Sequence, residues 1–218
     1  MNENSLVYVG DPMCSWCYGF GVPLQKLLQQ LPGVPLAMVL GGLRAYNQEV
    51  MPDALKSTLH HHWSEVTKRS GKPFGSGQFD REGYIYDTEP ACRAVVTIRT
   101  HAAEHTLAMY HAVQHAFYAA GRDITQTSVL ADVWQELVDS KRIGDVKFSK
   151  DAFVTAFDSD SIKAQTRNDF AMVQQWGIRG FPALIAVVNG EAQLVANGYM
   201  EVDEMLQRVQ QVFASAGK

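Results

Sequence analysis

"DPMCSWCYGF", residues 11–20, carries Cys14 and Cys17, two of the chain's three cysteines, with only Ser15 and Trp16 between them. Before it stands "SLVYVG", residues 5–10, an apolar run of strand length. After it, from Val22 on, leucine recurs at 24, 27, 28 and 31, the spacing of one helix face. The two thiols therefore sit where a strand hands over to a helix. A redox dithiol, half of a metal site and a pair of inert buried thiols all fit that position. Each makes a different demand on the rest of the chain.

A zinc site needs two further ligands at matching spacing. No second Cys-x-x-Cys or His-x-x-x-His lies nearby in sequence, so no metal and no cofactor are expected. A redox pair needs only itself. Thiols at i and i+3 on a helix share a face and come within disulfide reach. The unpaired N–H groups and positive dipole end of a helix start favour thiolate over thiol. Cysteines so placed titrate at roughly 3.5–7.5. This predicts Cys14 as the attacking sulfur and Cys17, one turn deeper, as the resolving one. Ser15 and Trp16 carry no charge and add little thiolate stabilisation.

The chain's 218 residues suffice for one large domain, or a domain with an insertion, and for a core that needs no staples. A net charge of -4 without a Lys/Arg cluster argues against a nucleic-acid surface. The first residues lack the basic and apolar regions of a signal peptide, and no apolar run reaches the ~18 residues of a membrane helix. The expectation is a soluble, cytoplasmic chain with no membrane partner. Three cysteines make no structural disulfide framework, and in a reducing compartment a Cys-x-x-Cys pair is catalytic or metal-binding more often than structural. Oligomeric state is left open.

The pattern divides the chain into three blocks. Residues 5–42 read strand, helix (15–31), strand ("VPLAMVLGGL"). Residues 161–215 read helix, strand, strand, helix. The first of these helices runs to Trp176 and stops at Gly177, and Asn189-Gly190 marks a tight hairpin between the strands. The final helix puts Met205, Val209 and Val212 on one stripe. The middle block shows no convincing strand. It predicts helices at 52–69, 89–103, 105–120, 127–140 and 149–157, with the Gly-rich "SGKPFGSGQFDREGYIYDT" after the first. In "YDTEPACRA", Thr88 is the expected cap of the second. The fold class is thus α/β, with residues 1–44 and 161–218 forming one domain around a large all-helical insertion, 45–160.

"GIRGFPALIAVV" sets Pro182 at the first position of a strand, where proline is tolerated, and a cis Phe181–Pro182 bond is expected there. With "DPMCSWCYGF" at one end, "GIRGFPAL" at the other and a helical block between, the chain resembles the thioredoxin superfamily, and within it the DsbA-like thiol–disulfide oxidoreductases. The resemblance implies a thioredoxin-like fold with a helical insertion. It implies Cys14 as nucleophile, Cys17 as resolving cysteine and Pro182 as cis-proline. Trp16, Gly180, Phe181 and Phe20 would line a groove for a protein or small-thiol disulfide, with glutathione as a candidate partner. Many such proteins place an acid on the first strand, under the second cysteine; here Tyr8 stands there. The segment Asp87–Arg93 resembles one that faces the dithiol, which makes Cys92 a candidate accessory thiol. Related 2-hydroxychromene-2-carboxylate isomerases and kappa-class glutathione transferases carry serine in place of Cys14. A glutathione-dependent isomerase or transferase is therefore the alternative enzyme, and a chaperone-like binding module the non-enzymatic one.

Three other features have plainer readings. "HAAEH", residues 101–105, matches a short zinc-peptidase pattern but lacks the rest of that fold, so its histidines are expected to pack or to face solvent. His60, His61 and His62 read as a solvated helix face. Trp63, Phe74, Phe79, Tyr84 and Tyr86 are expected to pack the helical block, with an apolar lid over the dithiol as the alternative.

Overall fold

The computed structural model describes residues 4–77, 79 and 81–215. Strand β1 (Asn4–Gly10) leads into helix α1 (Ser15–Gln30) and strand β2 (Leu36–Leu40). Helices α2 (Asp53–Ser70), α3 (Glu89–His101), α4 (Thr106–Tyr118), α5 (Thr127–Asp139), α6 (Lys150–Phe157) and α7 (Asp160–Gln175) follow. Strands β3 (Ala183–Val188) and β4 (Glu191–Asn197) and helix α8 (Val202–Ser215) close the chain. The sheet order is β2-β1-β3-β4. β1 pairs parallel with β2 and antiparallel with β3, so Tyr8 lies between Met38 and Leu184. Asn189 and Gly190, both at positive φ, turn β3 into β4. This is the thioredoxin-like fold with a helical insertion.

Elements fall close to where the pattern puts them, and the departures have local causes. β2 ends at Leu40, short of the predicted run to Leu43. A side chain at Gly41 would lie 2.2 Å from the Phe181 ring, and Gly42 turns left-handed at φ 62°. Helix α3 is not capped by the Thr88 side chain; Asp87 Oδ1 accepts the Glu89 N–H instead, at 2.9 Å. Thr88 Oγ1 is engaged elsewhere, accepting the Arg44 N–H at 3.1 Å. Helix α1 forms although it contains Gly19, Gly21 and Pro23. Packing overrides propensity here: a Cβ on Gly19 would lie 2.6 Å from Val66 Cγ1, so the glycine is what lets α2 approach.

Two cores result. One fills the helical block around Trp63, Phe79, Tyr84, Tyr86, Phe117 and Trp134. The other joins the sheet, α1 and α8 to α3, α4 and α7, and holds all three cysteines. Among the described residues no helix is long and apolar enough to cross a membrane.

Candidate active site

Cys14 is the N-cap residue of α1, in extended conformation, and Cys17 lies inside the helix's first turn. A short turn delivers them, with the Cys14 N–H donating to the Asp11 carbonyl at 3.0 Å. Cys14 keeps 7% of its surface and Cys17 none. The Cys14 thiol donates to the Phe181 carbonyl at 3.6 Å, so the first thiol abuts the loop that opens β3. The Phe181–Pro182 bond in that loop is cis. Gly180 borders open space: a Cβ there would meet nothing within 4 Å. Trp16 stands half-buried between the cysteines, with Tyr199 edge-on at 6.1 Å and the Arg69 guanidinium 5.9 Å from its ring centre.

Burial pushes the Cys17 thiol well up, and the neighbouring Cys14 pushes it further, while a hydrogen bond from Tyr8 works the other way. Beneath the turn, the fully buried Asp11 carboxylate ties three segments together. Oδ1 accepts the Met13 N–H at 2.7 Å, and Oδ2 accepts the Leu43 N–H at 2.7 Å and the Cys92 thiol at 3.5 Å. Burial raises its carboxyl above the usual range in spite of these donors. The Tyr86 hydroxyl donates to the Met13 carbonyl, so the helical block also braces this turn.

A thiol at a helix start, a buried second thiol one turn in and a cis-proline loop touching the first form one constellation. Residues 6–210 match the family described as the DSBA-like thioredoxin domain. The chain belongs to this family.

Solved structures resemble the chain over nearly its whole length. One from Nitrosomonas europaea, provisionally assigned as a protein disulfide isomerase, is 32% identical over 98% of each chain, with a TM-score of 0.86. The cytosolic disulfide reductase DsbM from Pseudomonas aeruginosa shares the fold at 24% identity and a TM-score of 0.76, over 97% of this chain and 100% of that one. The same reductase solved with GSH gives 23% identity and a TM-score of 0.72, over 96% and 99%. Nothing among the curated proteins matches.

In this DsbA-like chain, Cys14, Cys17, Trp16, Phe181 and Pro182 cluster, with Gly180 at the edge. Phe20 does not join them as a groove residue. Lying i+3 from Cys17, it turns inward with it, fully buried, its ring stacked on Tyr8 at 5.7 Å and edge-on to Tyr199 at 6.4 Å. Cys92 is fully buried with its thiol turned to Asp11, and burial pushes that thiol well up. The five aromatic residues around the Gly-rich linker close the helical core. "HAAEH" is broken at Ala102, where α3 ends: His101 stacks on Phe148 at 4.9 Å and His105 faces Trp134 at 6.4 Å. Among the described residues no group of three metal-ligating side chains converges. Sequence reasoning missed Asp11 as an anchor and Tyr110 as a neighbour of Tyr8. Asp11 lay inside the quoted motif and could have been questioned, since an aspartate just ahead of a buried turn needs donors; Tyr110 carried no signal.

Proposed function

We propose that the chain exchanges disulfides in the cytoplasm through the Cys14–Cys17 dithiol. Cys14 forms the bond to substrate and Cys17 displaces the substrate from it. The observation that carries this reading is the hydrogen bond from Cys14 Sγ to the Phe181 carbonyl. It sets the one active-site thiol with surface access beside a loop whose backbone can pair with an extended peptide by strand addition. Trp16, between the two cysteines, offers a half-buried apolar face, and Arg69 beside its ring adds a cation for a carboxylate-bearing thiol such as glutathione. The relative solved with GSH supports a small-thiol partner. A thiol one turn from Cys14 favours exchange over glutathione-dependent isomerisation, because it would displace glutathione rather than hold it.

The atoms balance without a cofactor. Cys14 thiolate attacks a substrate disulfide RS–SR, forming Cys14–S–S–R and releasing RS⁻, which takes a proton. Cys17 then attacks Cys14 sulfur, forming the Cys14–Cys17 disulfide and releasing the second RSH. In reverse, the oxidised pair passes its disulfide to two substrate thiols.

Reduction of a peptide disulfide and of oxidised glutathione tests this. Cys14→Ala is expected to abolish both. Cys17→Ala is expected to stop after one turnover with substrate bonded to Cys14, seen as an added mass on the intact protein. Alkylation should label Cys14 before Cys17; the opposite order reverses the roles, and full activity in Cys14→Ala removes the reading.

A further inference from the structure

Helices α4 and α5 open a cleft of about 600 Å³. None of the residues placed at the dithiol lines it. A cleft of this size holds a small organic molecule, not only a single ion. Its apolar lining includes Ala108 and Ala112 on α4, Leu137 on α5 and Ile143 just after it. Alanine side chains end at Cβ, which leaves width over α4 for a flat body.

Charge in the cleft is one-sided. Lys72, Arg122 and Arg142 line it against one carboxylate, Glu136. That carboxylate is already engaged: both its oxygens accept from the Arg122 guanidinium, at 2.9 and 2.8 Å. Lys72 and Arg142 form no ion pair among the described residues. Lys72 is half-buried, with its ammonium 5.0 Å from the centre of the Tyr18 ring, and burial pulls its pKa down. His111 and His115, one turn apart on α4, stand in the same lining. His111 Nε2 is buried with no hydrogen-bond partner among the described residues. In a chain of net charge -4, the cleft thus keeps two cations without an anion. A cleft lined by one sign of charge, with apolar walls, concentrates its field and draws in the opposite charge. Two unmatched cations suit a dianion.

We propose that this cleft is a binding site for a small organic phosphate, a phosphate monoester on a flat apolar body. Such a group carries about -1.5 to -2 charges at pH 7 and three strong acceptor oxygens. The charge is answered by Lys72 and Arg142, and the oxygens accept from ammonium, guanidinium and imidazole donors. The apolar body lies on the alanine face of α4, against Leu137 and Ile143. Binding requires neither cysteine. The site still borders the helix that carries them, because Lys72 touches Tyr18, the residue after Cys17.

Titration calorimetry on the reduced full chain tests this, with phenyl phosphate as the probe and inorganic phosphate, benzoate and phenol as controls. Phenyl phosphate is expected to bind at one site, roughly tenfold or more tighter than inorganic phosphate, which lacks the body, than benzoate, which has one charge, and than phenol, which has none. Lys72→Met and Arg142→Met should each weaken it roughly tenfold, the scale of one hydrogen bond to a charged group. Lys26→Met removes an exposed cation of α1 outside the cleft and should leave it unchanged. Cys14→Ala should bind as wild type does. Proton NMR of the histidine rings locates the ligand without any variant: His111 and His115 should shift, and His60, His61 and His62 should not. Absence of saturable binding overturns the proposal, as does any control ligand that binds as tightly as phenyl phosphate. Equal weakening in Lys26→Met overturns it by making the attraction one of net charge, and loss of binding in Cys14→Ala by placing the ligand at the dithiol. Ring shifts confined to His60, His61 and His62 overturn it as well.

Discussion

His111 on α4 has its Nε2 buried without a hydrogen-bond partner among the described residues, against the point where Gly21 has no side chain; a Cβ there would lie 3.3 Å from that nitrogen. Burial, and then the nearby Lys72 ammonium, push its pKa down to about 4. The unfolded chain would take up a proton near 6.5, the folded one only near 4. Between those values the unfolded state binds more protons, so stability falls as pH drops from 6.5 towards 4. At about 1.4 kcal/mol per pH unit, the loss by pH 5 is on the order of 2 kcal/mol. Urea midpoints at pH 7 and pH 5 should show it, and His111→Gln should flatten the difference; an unchanged difference in that variant would assign the slope to other groups. At this scale the sequence shows chemistry that is local. Cys14, Cys17 and Pro182 could be read because a spacing of three and a strand-start proline have few meanings. The Tyr8–Tyr110 contact could not, because it joins residues 102 positions apart with no pattern linking them.

Between elements, one buried ion pair holds the helical block to the sheet. Arg99 on α3 donates to both oxygens of Asp169 on α7, at 2.6 and 2.9 Å, and to the Met38 carbonyl on β2 at 2.8 Å. Asp169 Oδ2 also accepts the Leu40 N–H at 2.9 Å. The end of β2, next to the Gly41–Phe181 contact, is thereby fixed from the far side of the active site. Removing one member leaves a buried charge uncompensated, which costs roughly 3–5 kcal/mol. Arg99→Met should therefore lower stability by about 3 kcal/mol in denaturant titration and loosen Leu40 to hydrogen exchange. Arg99→Met with Asp169→Leu should recover much of the loss; if it does not, the pair contributes by packing alone. Element positions were legible because leucine and valine periodicity follows burial. The end of β2 and the cap of α3 were not, since a ring from residue 181 and an amide from residue 44 set them.

The two blocks into which the sequence divides share a core. Val95, Val96 and Cys92 on α3 and Tyr110 on α4 are buried in the same cluster as Leu6, Met38, Leu184 and Met205, and the dithiol lies within it. A helical block that merely covered the sheet would have its own seam of exposed apolar surface on opening; this one would have to open the cluster that contains Cys14 and Cys17. We therefore expect insertion and sheet to unfold as one unit, and Val96→Ala to show it. Two methylene-sized groups lost from a fully buried site cost about 2 kcal/mol. In native-state hydrogen exchange the slowest amides of β3, in the sheet, and of α5, whose buried residues belong to the other core, should share one opening free energy. Val96→Ala should lower both by the same amount. If α5 kept its protection while β3 lost it, the helical block would be a separately stable domain, and the dithiol would sit on a hinge rather than in a common core.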